Sequence, residues 1–427
     1  MFDERTESVA DVAVIGAGAA GLATAIFAAR RMPERSIVAL DGAEKLGAKI
    51  LVSGGGRCNV TNAVVTPADF FGGNSSVIRR VLAAFTAEDA VAFFSDLGVE
   101  LHVEEHGKLF PNTNQARTVL DALVGEATRR GVRLLTHHRV TDVQVRGDCF
   151  GLVTSGGSLS ARRVVLATGG LSLPKTGSDG GGYELARKLG HTITATTPAL
   201  APLLLEGDFH VALSGVAHDV ELTVHVEGGK PVRAGGAMLW SHFGVTGPAV
   251  LDVSRHWHRA RLEGRHVTVS ANLLPGCDFT AADRRLLELA TAQPKVQLHN
   301  ALAGLLPGRV ADAILAKLGI DGATPTAHVV KDVRRKLAHA LIAWPLPVRD
   351  SRGYKFAEMT AGGVPLSEID STTMASRKCP GLFLVGEILD VDGRIGGFNF
   401  QWAWSTGWVA AVGLCRDAWA PTRRPRP

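Results

Sequence analysis

The sequence predicts an α/β fold in which one domain is assembled from two separated stretches of chain. Three observations predict it. Near the N-terminus an apolar run enters a glycine-rich turn that opens into an Ala-rich helical pattern. From about Thr194 this alternation gives way to period-two strand patterns and then to helical ones. From about Tyr354 the first texture returns and closes in a helical pattern, Phe398 to Cys415.

The first stretch is the most specific. Val12-Ala-Val-Ile leads into Gly16-Ala-Gly18-Ala19-Ala20-Gly21, and Leu22 to Arg30 follows as a helix. In this GxGxxG turn Gly16 permits the tight bend and Gly18 lets the backbone approach a pyrophosphate. Gly21 lets the helix pack closely on the strand, and the helix start offers N–H groups to phosphates. Asp41 ends a second apolar run, Ser36 to Leu40, twenty residues after Gly21. An acid there accepts hydrogen bonds from ribose hydroxyls. Strand, turn, helix and acid together indicate a dinucleotide-binding Rossmann unit, with the kind of dinucleotide left open.

The remaining elements follow in order. Lys45 to Asn62 reads as a loop. Helices are expected at Val77–Phe85 and Ala87–Leu97, the second opened by the capping pattern at Thr86 and closed by Gly98, and at Gln115–Arg130, closed by Gly131. Leu134–Leu135, Val140–Val145 and Phe150–Val153 read as an antiparallel meander beside the sheet. Arg163–Ala167 reads as a buried strand running into Thr168-Gly169-Gly170, with a helix at Tyr183–Leu189. Strands dominate between Leu213 and Leu273, as in Val220–Val226 before the Gly228-Gly229 turn, and suggest a small β-barrel or open sheet. Ala281–Leu341 is mostly helical, with breaks at Pro294, Pro307 and Gly319–Gly322. Leu382–Val385 is a short buried strand. The expected domains are 1–193 with 346–420, a β-barrel-like insertion at 194–275 with 335–345, a helical cap at 276–334, and a disordered basic tail at 421–427.

Composition narrows the function classes. The chain has 427 residues, 46% hydrophobic and 20% charged, enough for two or three domains. Its formal charge is +5, of which Arg423, Arg424 and Arg426 in the tail supply three, so the body is nearly balanced. Without a clustered basic face no stable nucleic-acid partner is expected. No run is long enough to span a bilayer, and the mixed-charge start has no signal-peptide core, which points to a cytoplasmic protein without a membrane partner. The five cysteines, Cys58, Cys149, Cys277, Cys379 and Cys415, form no CxxC pair. A disulfide framework, a metal site and a dithiol redox centre are therefore not expected.

Three further motifs carry chemistry. Lys49-Ile-Leu-Val-Ser53-Gly54-Gly55-Gly56-Arg57-Cys58-Asn59-Val-Thr-Asn62 can wrap backbone N–H groups around a phosphate or a ring, with Lys49 and Arg57 adding positive charge. Ala167-Thr168-Gly169-Gly170 ends a strand against the dinucleotide. Gly386-Glu387 ends another, and Gly396-Gly397-Phe398-Asn399 starts a helix whose positive end can stabilise negative charge on a reduced flavin. Asp390 either bonds the ribityl chain or a phosphate-bound water, or caps the loop.

With these motifs in place, the chain resembles the bacterial flavoproteins known as aminoacetone-oxidase-like or BaiN-like FAD enzymes. The resemblance rests on the fingerprint, on SGGGRCNVTN, ATGG with TGSDGGGY, Thr360–Val364 and GEILDVDGRIGGFNFQWAW, and on Leu239–Pro248 (LWSHFGVTGP). It implies a glutathione-reductase-type FAD-binding Rossmann domain interrupted by a β-barrel with a small helical cap. Asp41 stands where Glu is usual, and Phe398 where Tyr is usual. The cofactor-binding set is Gly16, Gly18, Ala19, Ala20, Gly21, Asp41, Lys49, Ser53, Gly54, Gly55, Arg57, Cys58, Asn59, Val140, Ala167, Thr168, Gly169, Gly386, Glu387, Asp390, Gly396, Gly397, Phe398 and Asn399.

One fingerprint and no redox CxxxxC leave no built-in NAD(P)H domain. The expected activity is an FAD-dependent oxidoreductase acting on a small molecule by hydride transfer at flavin N5. It either oxidises a small amine such as aminoacetone with O₂, or reduces an activated C=C or carbonyl with NAD(P)H docking transiently. An FAD-dependent RNA-modifying enzyme and a non-catalytic flavin sensor are the alternatives. His242, Arg57 and Tyr354 are the candidate catalytic residues. His242 and Tyr354 have structural roles as alternatives, and Arg57 a phosphate contact. Cys58 reads as a packed small residue, and Trp402, Trp404 and Trp408 as core or flavin-flanking packing.

Overall fold

A computed structural model describes residues 9–416, and the basic tail at 421–427 lies outside them. The chain divides into two units, one formed by the residues up to 196 with those from 359 on, the other by residues 197–358.

In the first unit, strands Arg133–Leu135, Ile37–Leu40, Ala10–Ile15, Gly157–Leu166 and Leu382–Leu384 lie side by side in that order, all parallel. Counted along the chain the order is 3-2-1-4-5, a doubly wound Rossmann sheet. The runs VAVI, IVAL and VVL are buried because helices cover both faces of such a sheet. Four of the cofactor motifs follow the carboxyl end of one of these strands: Gly16 after Ile15, Asp41 after Leu40, Thr168 after Leu166 and Gly386 after Leu384.

The meander needs a correction. Cys149–Thr154 pairs antiparallel with the first half of Gly157–Leu166 and with Val140–Arg146, as expected. Arg133–Leu135 instead pairs parallel with Ile37–Leu40 and belongs to the main sheet. The helix Ala116–Arg129 is the crossover that returns it in parallel, and a three-residue strand carries too little periodicity to reveal this. Within the expected loop 45–62, Ala48–Val52 is helical and Ser53–Gly56 forms a 3₁₀ turn.

The fingerprint helix Ala19–Arg31 packs on the C-terminal helix Phe398–Arg416 at glycine distance. A Cβ at Gly407 would lie 3.1 Å from the Thr24 amide nitrogen. Phe27, Phe85, Phe93 and Trp408 interlock beside this crossing, with ring centroids 4.7–6.5 Å apart. Burial of each such ring contributes about 1.5–3 kcal/mol.

In the second unit the sheet runs Trp344–Leu346, Val267–Asn272, Ala217–Val226, Val232–Ser241, Gly244–Thr246, Leu203–Leu205, Val348–Ser351, each pair antiparallel. The two edge strands are consecutive in sequence, with only Pro347 between them. A seven-stranded sheet whose edges are one residue apart must curl, so it is barrel-like. Both edge strands belong to this unit, which therefore extends to Glu358, past the expected return at 346.

The stretch read as strands between Leu213 and Leu273 also holds a helix, Pro248–Leu262. Its Pro at the first position and its buried Ala249, Val250, Val253, Trp257 and Ala260 are helical signals, masked by five Arg and His residues in its second half. Helices Phe279–Ala292, Leu298–Leu302, Gly308–Leu318 and Lys331–Ile342 share their core with the sheet.

One buried carboxylate ties helices of the first unit together. Glu126 receives Arg30 (2.8 Å), Arg129 (2.8 Å) and Arg130 (3.0 Å). Burial alone pushes its carboxyl up, but the three guanidinium groups outweigh this and hold it at about 2. A depressed acid stabilises the fold above its unfolded pKa and loses that contribution as pH falls. Acid unfolding between roughly pH 4.5 and 2 should therefore become shallower in Glu126→Gln, which is less stable at pH 7; circular dichroism melts across that range measure it. Parallel pH profiles for both proteins would contradict this.

Candidate functional site

The fingerprint turn is fixed by backbone crowding. A Cβ at Gly16 would lie 2.5 Å from the Ala167 carbonyl oxygen, and one at Gly21 only 1.8 Å from the Gly16 carbonyl oxygen. At Gly18 nothing lies within 4 Å, so that face is open. Gly18 also caps the fingerprint helix without a side-chain hydrogen bond, and the first turn holds no acid. Half-buried Ala19 and buried Ala20 thus stand at a helix start with uncapped N–H groups, the arrangement that binds phosphate.

Asp41 does more than its spacing indicated. Its Oδ2 accepts the Ala17 N–H (2.9 Å) and its Oδ1 the Ala43 N–H (2.9 Å), so the carboxylate holds the turn's shape from the next strand. The Asp41 carbonyl accepts from His138 N (2.8 Å), which lays 138–140, including half-buried Val140, alongside. Next to it is a cleft of about 450 Å³ lined by Arg139, Asp179, Gly180, Gly181, Tyr183 and Arg187. Arg139 and Asp179 are ion-paired at 2.8 Å. Burial pushes the Asp179 carboxyl up, and Arg139 and the Gly181 N–H more than reverse that. Neither stands out in the sequence, where the acid directly before Gly180-Gly181-Gly182 is the one available signal.

The helical turn at Ala48–Val52 directs Lys49 inward. Its Nζ donates to Glu387 Oε2 (2.5 Å) and Ser172 Oγ (2.6 Å). Glu387 Oε1 accepts from Ser172 Oγ (2.6 Å) and Thr360 N (2.9 Å), and Thr360 Oγ1 accepts the N–H of Leu171 (2.8 Å). Lys49 and Glu387, each assigned separately to the cofactor, meet each other. Glycine is required beside them. A Cβ at Gly170 would lie 2.5 Å from Thr360 Oγ1, and one at Gly169 2.4 Å from Ser178 Oγ. Ser172 and Thr360 were missed because single hydroxyls carry no pattern. Removing the ammonium leaves a nearly buried carboxylate uncompensated. Lys49→Met should cost about 1–3 kcal/mol, part of it recovered in Lys49→Met/Glu387→Gln; urea unfolding measures both, and additive losses would argue against the pairing.

In the Gly-rich stretch Gly54, Gly55 and Gly56 have φ of 54°, 68° and 86°, and nothing lies within 4 Å of a Cβ at Gly55. Ser53 Oγ is turned back onto the Ile50 carbonyl (2.7 Å). Cys58 also has positive φ, is fully buried, and its thiol is pushed up to about 12 by burial, against a smaller opposing hydrogen bond with Ser53. It therefore packs as an inert neutral group. Iodoacetamide should leave Cys58 unmodified in the native protein and label it after unfolding; labelling of native Cys58 in peptide maps would contradict the geometry. Arg57 is not an isolated cation: its Nη1 donates to Glu104 (2.6 Å) and its guanidinium lies over Phe110.

At the C-terminal helix Gly396 and Gly397 have φ of 126° and 95°, and a Cβ at Gly397 would lie 2.4 Å from the Thr61 carbonyl. Asn62 Nδ2 donates to the carbonyls of Gly396 and His106, both at 3.0 Å, joining the Gly-rich loop to the helix start. Trp404 Nε1 donates to the Val60 carbonyl (2.9 Å). Asn399 is spent on its own loop, accepting from Gly393 N (2.7 Å) and donating to the Gly393 carbonyl (3.1 Å). Phe398 is buried against Phe70. Gly386 meets the fingerprint helix, where its Cβ would lie 2.7 Å from that of Ala20.

Buried polar atoms without a hydrogen-bond partner include Asn59 Oδ1, Thr168 Oγ1, Asp390 Oδ1 and Trp402 Nε1. Left so, such atoms are costly. An uncapped helix start, a bare glycine face and these orphan groups fit a polar dinucleotide such as FAD. Among the described residues no group of three or more His, Cys, Asp or Glu could hold a metal.

His242 and Tyr354 lie in the second unit. His242 is exposed between strands Val232–Ser241 and Gly244–Thr246, edge-on to Phe243, and Tyr354 is half-buried. Arg352 lies over Phe356 at 3.4 Å and Phe243 at 4.7 Å, so both segments share one corner of that unit. A Cβ at Gly244 would lie 2.3 Å from the Leu203 carbonyl, which explains the glycine after SHF.

Comparison with known proteins places this arrangement. Residues 10–413 match the family described as HI0933-like protein Rossmann domain. A ribosomal RNA dihydrouridine synthase of Escherichia coli is 35% identical over 95% of this chain and 98% of its own. A 3-dehydro-bile acid delta(4,6)-reductase of Clostridium scindens is 32% identical over 93% and 97%. Among solved structures, an E. coli quinol–fumarate reductase FrdA superposes with a TM-score of 0.52 at 19% identity, over 97% of this chain and 72% of the other, a likeness of fold. No helix among the described residues is long and apolar enough to cross a membrane. The chain belongs to the HI0933-like Rossmann family of FAD-dependent oxidoreductases.

Proposed function

We propose that the enzyme reduces a carbon–carbon double bond conjugated to a carbonyl, with FAD as the immediate hydride donor. One observation carries this reading. Two relatives of nearly equal similarity are named for different substrates, yet both names describe saturation of such a bond. Dihydrouridine is uridine with its C5=C6 bond saturated beside the C4 carbonyl, and a delta(4,6)-reductase acts on double bonds in conjugation with a 3-oxo group. Reduction is thereby favoured over the amine oxidation that the sequence left open. Both named substrates are also anions, a polyphosphate and a carboxylate.

Bound FAD supplies a centre that accepts hydride from a reductant and passes it to carbon. The chain supplies the rest. The N–H groups at the start of Ala19–Arg31 hold the pyrophosphate, and Asp41 with the Arg139–Asp179 cleft receives the adenosine end. Asn59, Thr168, Asp390 and Glu387 offer hydrogen-bonding groups to the remainder. The positive end of the helix Phe398–Arg416 favours negative charge on the pyrimidine edge. NAD(P)H docking transiently is the proposed reductant.

The test uses the purified holoenzyme. An oxidised flavin spectrum should bleach anaerobically with NAD(P)H. Adding either a 3-oxo-4,6-diene steroid acid or protein-free ribosomal RNA should then restore it, with one saturated bond per flavin detected by mass spectrometry. Bleaching by aminoacetone, with no reoxidation by either acceptor, would overturn the proposal.

A further inference from the structure

We propose that Arg57, set over the ring of Phe110, is the seat for an oxyanion of the substrate, and that Glu104 is the internal carboxylate this anion displaces. The inference rests on the reading that the enzyme reduces a conjugated double bond, and adds that the molecule carrying that bond is held by its charge.

Arg57 Cζ lies over the Phe110 ring, 4.0 Å from its centroid, a cation–π contact that limits where the guanidinium can sit. Only Nη1 is engaged, by Glu104 Oε1 at 2.6 Å. Nε and Nη2, the edge that grips an oxyanion through two parallel hydrogen bonds, donate to no protein atom among the described residues. The side chain is 39% exposed, so that edge is reachable.

Its surroundings favour exchange. Glu104 is itself one-third exposed, and His102 Nε2 stands 3.3 Å from the same Oε1. Two cation-forming groups therefore share one carboxylate, and an ion pair this exposed is weak. A ligand oxyanion can take Arg57 while Glu104 keeps His102.

The position is that of a substrate wall. Arg57 directly follows Gly54-Gly55-Gly56, three residues without side chains to cover it. The same loop continues through Asn59, whose buried Oδ1 has no partner, to Asn62, which is bonded to Gly396 at the start of the C-terminal helix. Phe110 is also the neighbour of Gly54, 3.0 Å from where its Cβ would lie. Ring, guanidinium and bare loop form one surface.

The experiment reads binding to the oxidised holoenzyme from the flavin difference spectrum, without turnover. The probes are a 3-oxo-4-ene steroid carboxylate with its methyl ester, and uridine 5′-monophosphate with uridine, so the two pairs separate a carboxylate from a phosphate source. The wild type should bind at least one anion roughly tenfold tighter than its neutral partner. Arg57→Gln should abolish that preference, and Glu104→Gln, which leaves Arg57 in place, should strengthen anion binding several-fold. No preference in the wild type, its persistence in Arg57→Gln, or weaker anion binding in Glu104→Gln overturns the proposal. Arg57-dependent binding of an anion that the reduced enzyme does not saturate would remove the proposed reaction and leave the seat. Equal reduction of acid and ester by wild type and Arg57→Gln would do the reverse.

Discussion

The site depends on one close approach: the first turn of the fingerprint helix pressed against the ends of the strands it crosses. Gly21 sits on the Gly16 carbonyl, Gly16 on Ala167, and Ala20 on Gly386. None of these contacts leaves room for a side chain. Together they bring the ends of the first, fourth and fifth parallel strands to a single point. The crevice at that point is where a doubly wound sheet binds its ligand, and the helix start presents uncapped N–H groups there. The helix Phe398–Arg416 crosses the same turn, and Gly407 is what lets it reach Thr24.

Polar groups then brace what sterics bring together. Asp41 holds the fingerprint turn from one side. On the other, the Lys49–Glu387 pair ties the Gly-rich loop to the fifth strand, with Ser172 and Thr360 linking both to the Ala-Thr-Gly-Gly segment. A site of this kind keeps its shape because each loop is anchored to another, so that the orphan atoms of Asn59, Thr168 and Asp390 remain presented.

How much of this was legible in the sequence follows from range. The fingerprint, Asp41 and the glycine runs are local signals, and strand, turn and helix lie where their spacing indicated. The helix Pro248–Leu262 was hidden by its Arg and His residues, and Arg133–Leu135 was too short to declare its direction. Pairings across the chain were out of reach: nothing in the spacing of Lys49 and Glu387, or of Arg57 and Glu104, says that they meet. Asn399, grouped with the cofactor set by its motif, turns out to close its own loop.

The single proline between the two edge strands of the second unit has a consequence for biosynthesis. That unit is one contiguous segment, residues 197–358. As the chain leaves the ribosome, all seven strands of its sheet are available to pair before residue 382 is made. Those of the first unit are not: its fifth strand and the helix that packs on the fingerprint both follow the insertion along the chain. Domains fold as units during synthesis. The insertion thus matures first, while the half-built nucleotide fold waits with an open sheet edge for the strand that completes it.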